Sequence, residues 1–213
     1  MSCDRKIGPF DCCSVVQGDC LELMKQLPDG CVDAVITDPP YPGYEKGWDV
    51  PDVARAIAWP VPLKVVFWPT MLGAPLPGWT AESIWHKPNG CSAFHYEKIF
   101  VYGEASRTCR VYREACILPN YTQYADECVD HPTQKPLGLL IELVNQYSDE
   151  GDTILDSFCG SGTTRVAAKK LGRHFLGFEI SEQYCEIARE RLARIDAQPS
   201  LFEAKAEQVT LWP

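Results

Sequence analysis

The sequence predicts an α/β domain with a doubly wound, mostly parallel sheet. Three observations point there. Short apolar runs of strand length alternate with amphipathic stretches of helix length. The apolar runs are near-continuous rather than alternating, as in strands buried on both faces. A Gly-x-Gly turn, Gly160-Ser161-Gly162, sits between one such run and a helical stretch. At 213 residues the chain has room for one such domain with a real core.

Residues 1–11 carry no pattern and read as an N-terminal arm. Cys13–Gln17 is a short strand ended by Gly18-Asp19, and Cys20–Leu27 has the apolar spacing Leu21, Met24, Leu27 of a short helix. Pro28-Asp29-Gly30 stops it, and Val32–Thr37 is a buried strand. Pro42–Val50 is a Gly-rich, aromatic loop. Pro51–Trp59 is helical, with Pro51 in the first turn. Leu63–Trp68 is another buried strand, followed by a Pro/Gly-rich loop over 69–81. Ser83–Lys87 and Tyr96–Tyr102 are strands, and segment 103–133 has only weak periodicity. Pro136–Tyr147 is helical, with Thr133 as its N-cap. Thr153–Leu155, a helix over Thr163–Leu171, a strand over His174–Phe178 and a helix over Glu182–Ile195 complete the domain, which spans 12–195. Residues 196–213 read as a tail.

Chemistry concentrates at the end of the second strand, in Asp38-Pro39-Pro40-Tyr41. Consecutive prolines cannot continue a sheet, so the chain turns out at the strand's carboxyl end, where open α/β sheets bind ligands. The turn offers a carboxylate, a Pro39 carbonyl with no neighbouring N–H, and the aromatic face of Tyr41. Two acceptors and a stacking plate suit a planar ring carrying an exocyclic NH₂.

A second motif, Asp156-Ser157-Phe158-Cys159-Gly160-Ser161-Gly162-Thr163-Thr164, is a strand end, a tight turn and a helix start. Glycines permit close backbone approach, and a helix N-terminus favours a carboxylate. An ordinary strand-to-helix turn would read the same way. Glu179, ending the next strand about 20 residues on, adds an acid suited to ribose hydroxyls. The third glycine of the dinucleotide fingerprint is missing, so a nucleoside without phosphates fits better than a dinucleotide. A third motif is His131-Pro132-Thr133-Gln134-Lys135-Pro136. Cys128, His131, Cys109 and Cys116 do not have zinc-module spacing, so no metal is expected. The eleven cysteines include no Cys-x-x-Cys and read as reduced thiols used as small hydrophobes.

The net charge of −9 is unusual for a partner of nucleic acid, but distribution matters more than the sum. Arg107, Arg110 and Arg113 lie close together and are assigned to phosphate contact. Arg165, Lys169, Lys170 and Arg173 read as a solvated face. No run is long enough to span a membrane, and no signal peptide is expected.

Taken together, these segments resemble the S-adenosylmethionine-dependent DNA amino-methyltransferases, in the permuted group whose catalytic motif precedes the cofactor motif. The resemblance rests on Gly18-Asp19-Cys20-Leu21, Asp38-Pro39-Pro40-Tyr41, Trp85-x-Lys87-Pro88, the His131–Pro136 segment, Phe158-x-Gly160-x-Gly162 and Glu179. It implies a seven-stranded Rossmann-like sheet with a reversed β-hairpin, consistent with Ser83–Tyr102. It implies that Phe158, Gly160, Gly162 and Thr163, with Asp156, Cys159, Ser161 and Thr164 in the same turn, hold the methionine part of the cofactor. Glu179 would bind its ribose, Asp19 and Thr37 would lie near its adenine, Ile180 would pack on that ring, and Lys135 would reach its carboxylate end. Asp38 and the Pro39 carbonyl would accept from the target amine, Pro40 would shape the turn, and Tyr41 would stack on the extruded base. Tyr44 or Trp48 is placed as a second wall of that pocket from its position in the loop.

The target amine's lone pair is delocalised into the base. Two acceptors on its N–H bonds localise that pair, so that it attacks a sulfonium methyl in line without a covalent intermediate. A carbon-5 cytosine enzyme would need a nucleophilic cysteine after a proline, and none of the cysteines follows one. The expected activity is adenine-specific DNA methylation, because cytosine members more often carry Ser where Asp38 stands. Cytosine N4 and a non-catalytic DNA-binding subunit are the alternatives. Gly103 to Asp130 leaves little room for target recognition, so a short or relaxed recognition sequence is expected. DNA is the expected partner, and a second copy of the chain forming a homodimer is a further candidate. Gln198-x-x-Leu201-Phe202 resembles the peptide that binds the bacterial sliding clamp, although docking of the apolar pair on the protein's own surface is the preferred reading. The implied location is the cytoplasm of a bacterial or phage-infected cell.

Overall fold

The computed structural model describes residues 3–41, 50–88, 95–104, 109–115 and 134–196. Its ten strands are β1 (Lys6–Ile7), β2 (Phe10–Asp11), β3 (Ser14–Gln17), β4 (Ala34–Thr37), β5 (Leu63–Trp68), β6 (Ala81–His86), β7 (Tyr96–Gly103), β8 (Val111–Arg113), β9 (Thr153–Asp156) and β10 (His174–Glu179). The helices are α1 (Cys20–Met24), α2 (Val50–Ala58), α3 (Leu137–Tyr147), α4 (Thr163–Lys170) and α5 (Glu182–Asp196).

Eight strands form one sheet in the order β3-β10-β9-β4-β5-β7-β6-β8. All pair in parallel except β7, which runs antiparallel to both β5 and β6. The reversed hairpin expected from Ser83–Tyr102 is therefore present. The sheet has one strand more than the seven expected. The extra strand, β8, lies in the segment read as weakly periodic. Its alternation is only three residues long, with Tyr112 buried between exposed Val111 and Arg113, too short to register as a pattern.

Helices cover both faces, as a sheet buried on both sides requires. On one face Leu139, Leu140, Leu143 and Val144 of α3, Val166 and Ala167 of α4, and Ala188 of α5 pack on Val65, Ile99, Ile154 and Phe175. On the other, Cys20 and Met24 of α1 pack with Leu155, Leu176 and Phe178. Val53 and Ile57 of α2 meet Val66, Trp68 and Phe100. The N-terminal arm is structured. β1 and β2 pair as a hairpin, and Ile7 is 1% exposed within the second of these clusters. A single buried apolar residue in a polar stretch gave no periodic signal. Helix α3 starts at Leu137 with Pro136 as a cap lacking any side-chain bond. Thr133 lies outside the described residues.

Candidate active site

Parallel strands present their carboxyl ends on one rim. Gly18-Asp19 follows β3, Ile180 follows β10, Ser157 follows β9 and Asp38 follows β4. Because β7 runs in reverse, its first residues lie on this rim too, with Glu97 opposite Trp85 in register and Lys98 opposite Trp68. Topology alone thus gathers Asp38, Glu97, Asp156 and Glu179 to one edge.

Asp38 is the centre of a charged network. Its Oδ2 is ion-paired with the Lys135 ammonium, and its Oδ1 accepts from the Tyr41 hydroxyl at 2.7 Å. Glu97 closes the ring: its Oε2 lies 3.4 Å from Lys135 Nζ and 3.3 Å from the Tyr41 hydroxyl. Its Oε1 pairs with Lys87. Two carboxylates and two ammoniums therefore balance in charge. Lys135 is also framed by rings, with Nζ 5.2 Å from the Phe67 centroid and 5.7 Å from that of Trp85. Burial pushes the Asp38 carboxyl above its ordinary range; the Lys135 charge opposes this and the Glu97 charge adds to it. Burial also disfavours charge on Glu97, but Lys135 and Lys87 outweigh it and hold that carboxyl below its usual range. Lys135 remains charged, since its two carboxylate partners overcome desolvation.

Each Asp38 oxygen keeps a further lone pair. Lys135 and Tyr41 thus orient the carboxylate without exhausting it. Among the described residues no loop backbone N–H donates to the Pro39 carbonyl. Lys135 was expected at the carboxylate end of a cofactor. Its ammonium instead sits between Asp38 and Glu97. Tyr41 likewise does more than offer a face: its hydroxyl steadies Asp38, and its ring packs edge-on against Trp68 at 6.1 Å.

The second motif adjoins this network through Thr37. Thr37 Oγ1 donates to Asp156 Oδ1 at 2.8 Å, tying the end of β4 to the end of β9. The same Oδ1 accepts from Phe158 N at 3.2 Å, which starts the tight turn. Burial raises the Asp156 carboxyl to about 6, against hydrogen bonds from Thr164, Thr37 and Phe158 that favour its charge. Gly160 (φ 50°) and Gly162 (φ 76°) hold left-handed backbone conformations that favour glycine. A Cβ on Gly162 would also stand 3.0 Å from that of Ala188, so the turn is pressed onto α5. Glu179 Oε2 accepts from Gly160 N at 2.9 Å, and its Oε1 accepts from Ser181 N at 2.8 Å. Beside it Ile180 is 54% exposed, an apolar side chain on an open rim. Asp19 is exposed and caps α1 by accepting from Leu21 N at 2.8 Å.

Some expected site residues turn inward. Thr163 Oγ1 accepts from Arg191 Nη1 at 2.8 Å, and Thr163, Thr164, Ser161 and Cys159 are all buried. Thr37 is buried and spends its hydroxyl on Asp156. These residues set the shape of the turn. Arg110 and Arg113 are exposed at β8, on the sheet edge. Tyr44, Trp48, Arg107, Cys116, Cys128, His131 and the Gln198–Phe202 segment lie outside the described residues. The basic group around α4 is a solvated face only in part: Lys170 is exposed, but Arg165 and Arg173 turn inward. Arg165 is 6% exposed and donates through Nη2 to the Cys13 carbonyl. The Arg173 guanidinium donates to the carbonyls of Ser148 and Leu171, both at 2.6 Å. Sequence reasoning missed Glu97 altogether and gave Lys87 no role. The available signal was a carboxylate two residues ahead of the apolar run Ile99-Phe100-Val101, where a strand about to enter the core starts with an acid.

The fold and rim define an α/β protein in which a glycine turn stands beside a turn of hydrogen-bond acceptors. The family described as DNA methylase, of the N6/N4 type, matches residues 68–190, more than half of the chain. The chain belongs to that family. Among curated proteins, a Type II methyltransferase M2.DpnII of Streptococcus pneumoniae is 55% identical over 62 residues. That stretch is 29% of this chain and 23% of the relative, so the chain spans under a quarter of that relative's length. Among solved structures, the M1.HpyAVI–SAM complex superposes with a TM-score of 0.62 at 22% identity, over 84% of this chain and 98% of that one. The PvuII DNA methyltransferase, which is cytosine-N4-specific, gives a TM-score of 0.64 at 16% identity, over 84% and 85%. At these identities both show the fold.

Proposed function

We propose that this chain transfers a methyl group from S-adenosylmethionine to the exocyclic amine of a base flipped out of DNA, with adenine N6 as the target. The observation that carries the reading is the Thr37–Asp156 bond, which fixes the acceptor turn of β4 beside the glycine turn of β9. Amine acceptors and a nucleoside site are useful only side by side. The names of the relatives support the same reading: M2.DpnII is a Type II methyltransferase, and the HpyAVI structure holds SAM.

The residues present fit that cofactor. Glu179 stands at the end of β10 with a carboxylate now held by backbone N–H groups, and Ile180 offers an open apolar surface beside it. Gly160 leaves the turn without a side chain where a ligand would approach, and Gly162 lets the turn pack on α5. The cofactor supplies an electrophilic methyl on a positively charged sulfur. All other steps fall to the chain. Asp38, oriented by Lys135 and Tyr41, accepts one amine N–H, and the Pro39 carbonyl accepts the other. The amine nitrogen then moves toward sp³ geometry with its lone pair directed at the methyl. Its surplus proton leaves after transfer. The base reaches the rim only by leaving the duplex, at a cost of a few kcal/mol.

Asp38 at the first position of the turn favours adenine over cytosine. Arg110 and Arg113 on the sheet edge are assigned to phosphate, and the short span between β7 and α3 to a short or relaxed recognition sequence. Transfer of labelled methyl to DNA, followed by nucleoside analysis, tests the activity. N6-methyladenine is the expected product. Label on cytosine N4 would reassign the target, and no transfer by a protein that binds S-adenosylmethionine would sink the reading. Sequencing of methylated positions in a host expressing the protein tests relaxed specificity, which a single strict site would contradict.

A further inference from the structure

Opposite the proposed active site, at the amino ends of β3 and β10, three groups from distant parts of the chain converge. Cys12 Sγ lies 3.1 Å from His174 Nδ1, and Cys3 Sγ lies 3.5 Å from the same nitrogen. The three ligand atoms all fall within 4.8 Å of one another. Cys13 Sγ lies 3.4 Å from Cys12 Sγ. We infer that Cys3, Cys12 and His174 bind a thiophilic divalent cation, with zinc the best chemical match and a solvent molecule as its fourth ligand, which pins the N-terminal hairpin to the sheet.

The distances carry the inference. In a tetrahedral zinc site the metal–sulfur and metal–nitrogen lengths require S···S edges of ~3.8 Å and S···N edges of ~3.5 Å. The Cys3–His174 separation of 3.5 Å matches that S···N edge, and the Cys12–His174 separation of 3.1 Å is a few tenths shorter. The separation of the sulfurs excludes a formed bond between Cys12 and Cys13. The backbone supports the arrangement. Cys13 is the single non-glycine residue with positive φ among those described, at 59°, a conformation that costs ~1 kcal/mol or more. Its N–H is held by the Phe175 carbonyl at 2.7 Å. His174 N donates to the Asp152 carbonyl at 2.8 Å, so the ligand's backbone is fixed as well.

Charge balances without a further partner: on binding, two thiols release two protons to solvent, and two thiolates with a neutral imidazole neutralise the dication.

The sequence argues against a metal at Cys109, Cys116, Cys128 and His131, and it holds no spacing motif that joins Cys3, Cys12 and His174. These three meet only through the fold. The test is independent of methyl transfer. The full chain is purified under reductant with zinc present and analysed for metal, and the zinc is then exchanged for cobalt. One equivalent of zinc per chain is expected, with cobalt giving thiolate charge-transfer and tetrahedral ligand-field bands. C12S and H174A lose both signals. C3S, a change at a half-buried position, does the same should C12S fail to fold. C31S retains them. A metal-free wild-type protein, a wild type whose Cys12 is oxidised to a disulfide, or equal metal loss in C31S would each overturn the proposal.

Discussion

Replacing Lys135 by methionine removes one cation from a network of two carboxylates and two ammoniums. Lys135 and Glu97 are 3.4 Å apart, worth about 5 kcal/mol of attraction at an effective dielectric of ~20. Asp38 contributes a closer contact still. Side-chain exposures of 10%, 24% and 14% for Lys135, Asp38 and Glu97 keep solvent screening modest. After the substitution Glu97 still has Lys87, but Asp38 has only the Tyr41 hydroxyl. An uncompensated buried charge costs ~3–5 kcal/mol, so Lys135→Met should lose about that much unfolding free energy at pH 7.5. The methionine itself fits, because Phe67 and Trp85 line the position. Asp38→Asn alone leaves Lys135 paired with Glu97 and should cost ~1 kcal/mol. The double variant restores neutrality, so it should be more stable than Lys135→Met by ~2 kcal/mol. Urea denaturation of the four proteins gives the cycle directly. Additive losses, with the double variant the least stable, would refute the network as drawn.

Three further outcomes follow from the same geometry. Glu179→Ala should raise the dissociation constant for S-adenosylmethionine by ~10- to 100-fold in calorimetry, since a charged hydrogen bond is worth ~1.5–3 kcal/mol; an unchanged constant would remove Glu179 from the site. Glu97→Gln removes a charge that raises the Asp38 carboxyl and frees Lys135 for it, so the acid limb of the single-turnover pH profile should move to lower pH, and a move upward would contradict the assignment. Asp156, held at about 6 in the fold against an ordinary 3.8, favours its neutral form there. Its stabilising share is present below the ordinary value and lost as pH rises through 6, by at most ~3 kcal/mol. Asp156→Asn should therefore flatten the stability profile between pH 4 and 7, and a profile as steep as the wild type's would be inconsistent.

Most of the frame was readable because buried parallel strands announce themselves. Ala34–Thr37, Leu63–Trp68 and His174–Glu179 are apolar runs bounded by turn residues, and each became a strand. The acceptor turn was readable because prolines at a strand's end leave few backbone options. What stayed hidden depends on contacts between distant residues. Glu97 reaches Asp38's network only because β7 is reversed, and nothing local in Tyr96–Gly103 says so. Arg165 looked solvated because a basic residue among Lys169, Lys170 and Arg173 is usually exposed. Its guanidinium is held by the Cys13 carbonyl, in the turn before β3 and far away in sequence. Thr163 sat in a motif and was given a ligand role, but Arg191 of α5 holds its hydroxyl. The hairpin before β3 and strand β8 were missed for want of length, as elements of two or three residues carry no periodicity.

The most direct test separates binding from chemistry at Asp38. Asp38→Ala and wild type are compared in one experiment, with S-adenosylmethionine affinity by calorimetry and single-turnover methyl transfer to duplex DNA at saturating cofactor. Affinity should stay within a few-fold, because Glu179 and the Gly160–Gly162 turn lie on other strands, while the transfer rate falls by ~100-fold or more. A variant that loses cofactor affinity and keeps its rate at saturation would contradict the role given to Asp38.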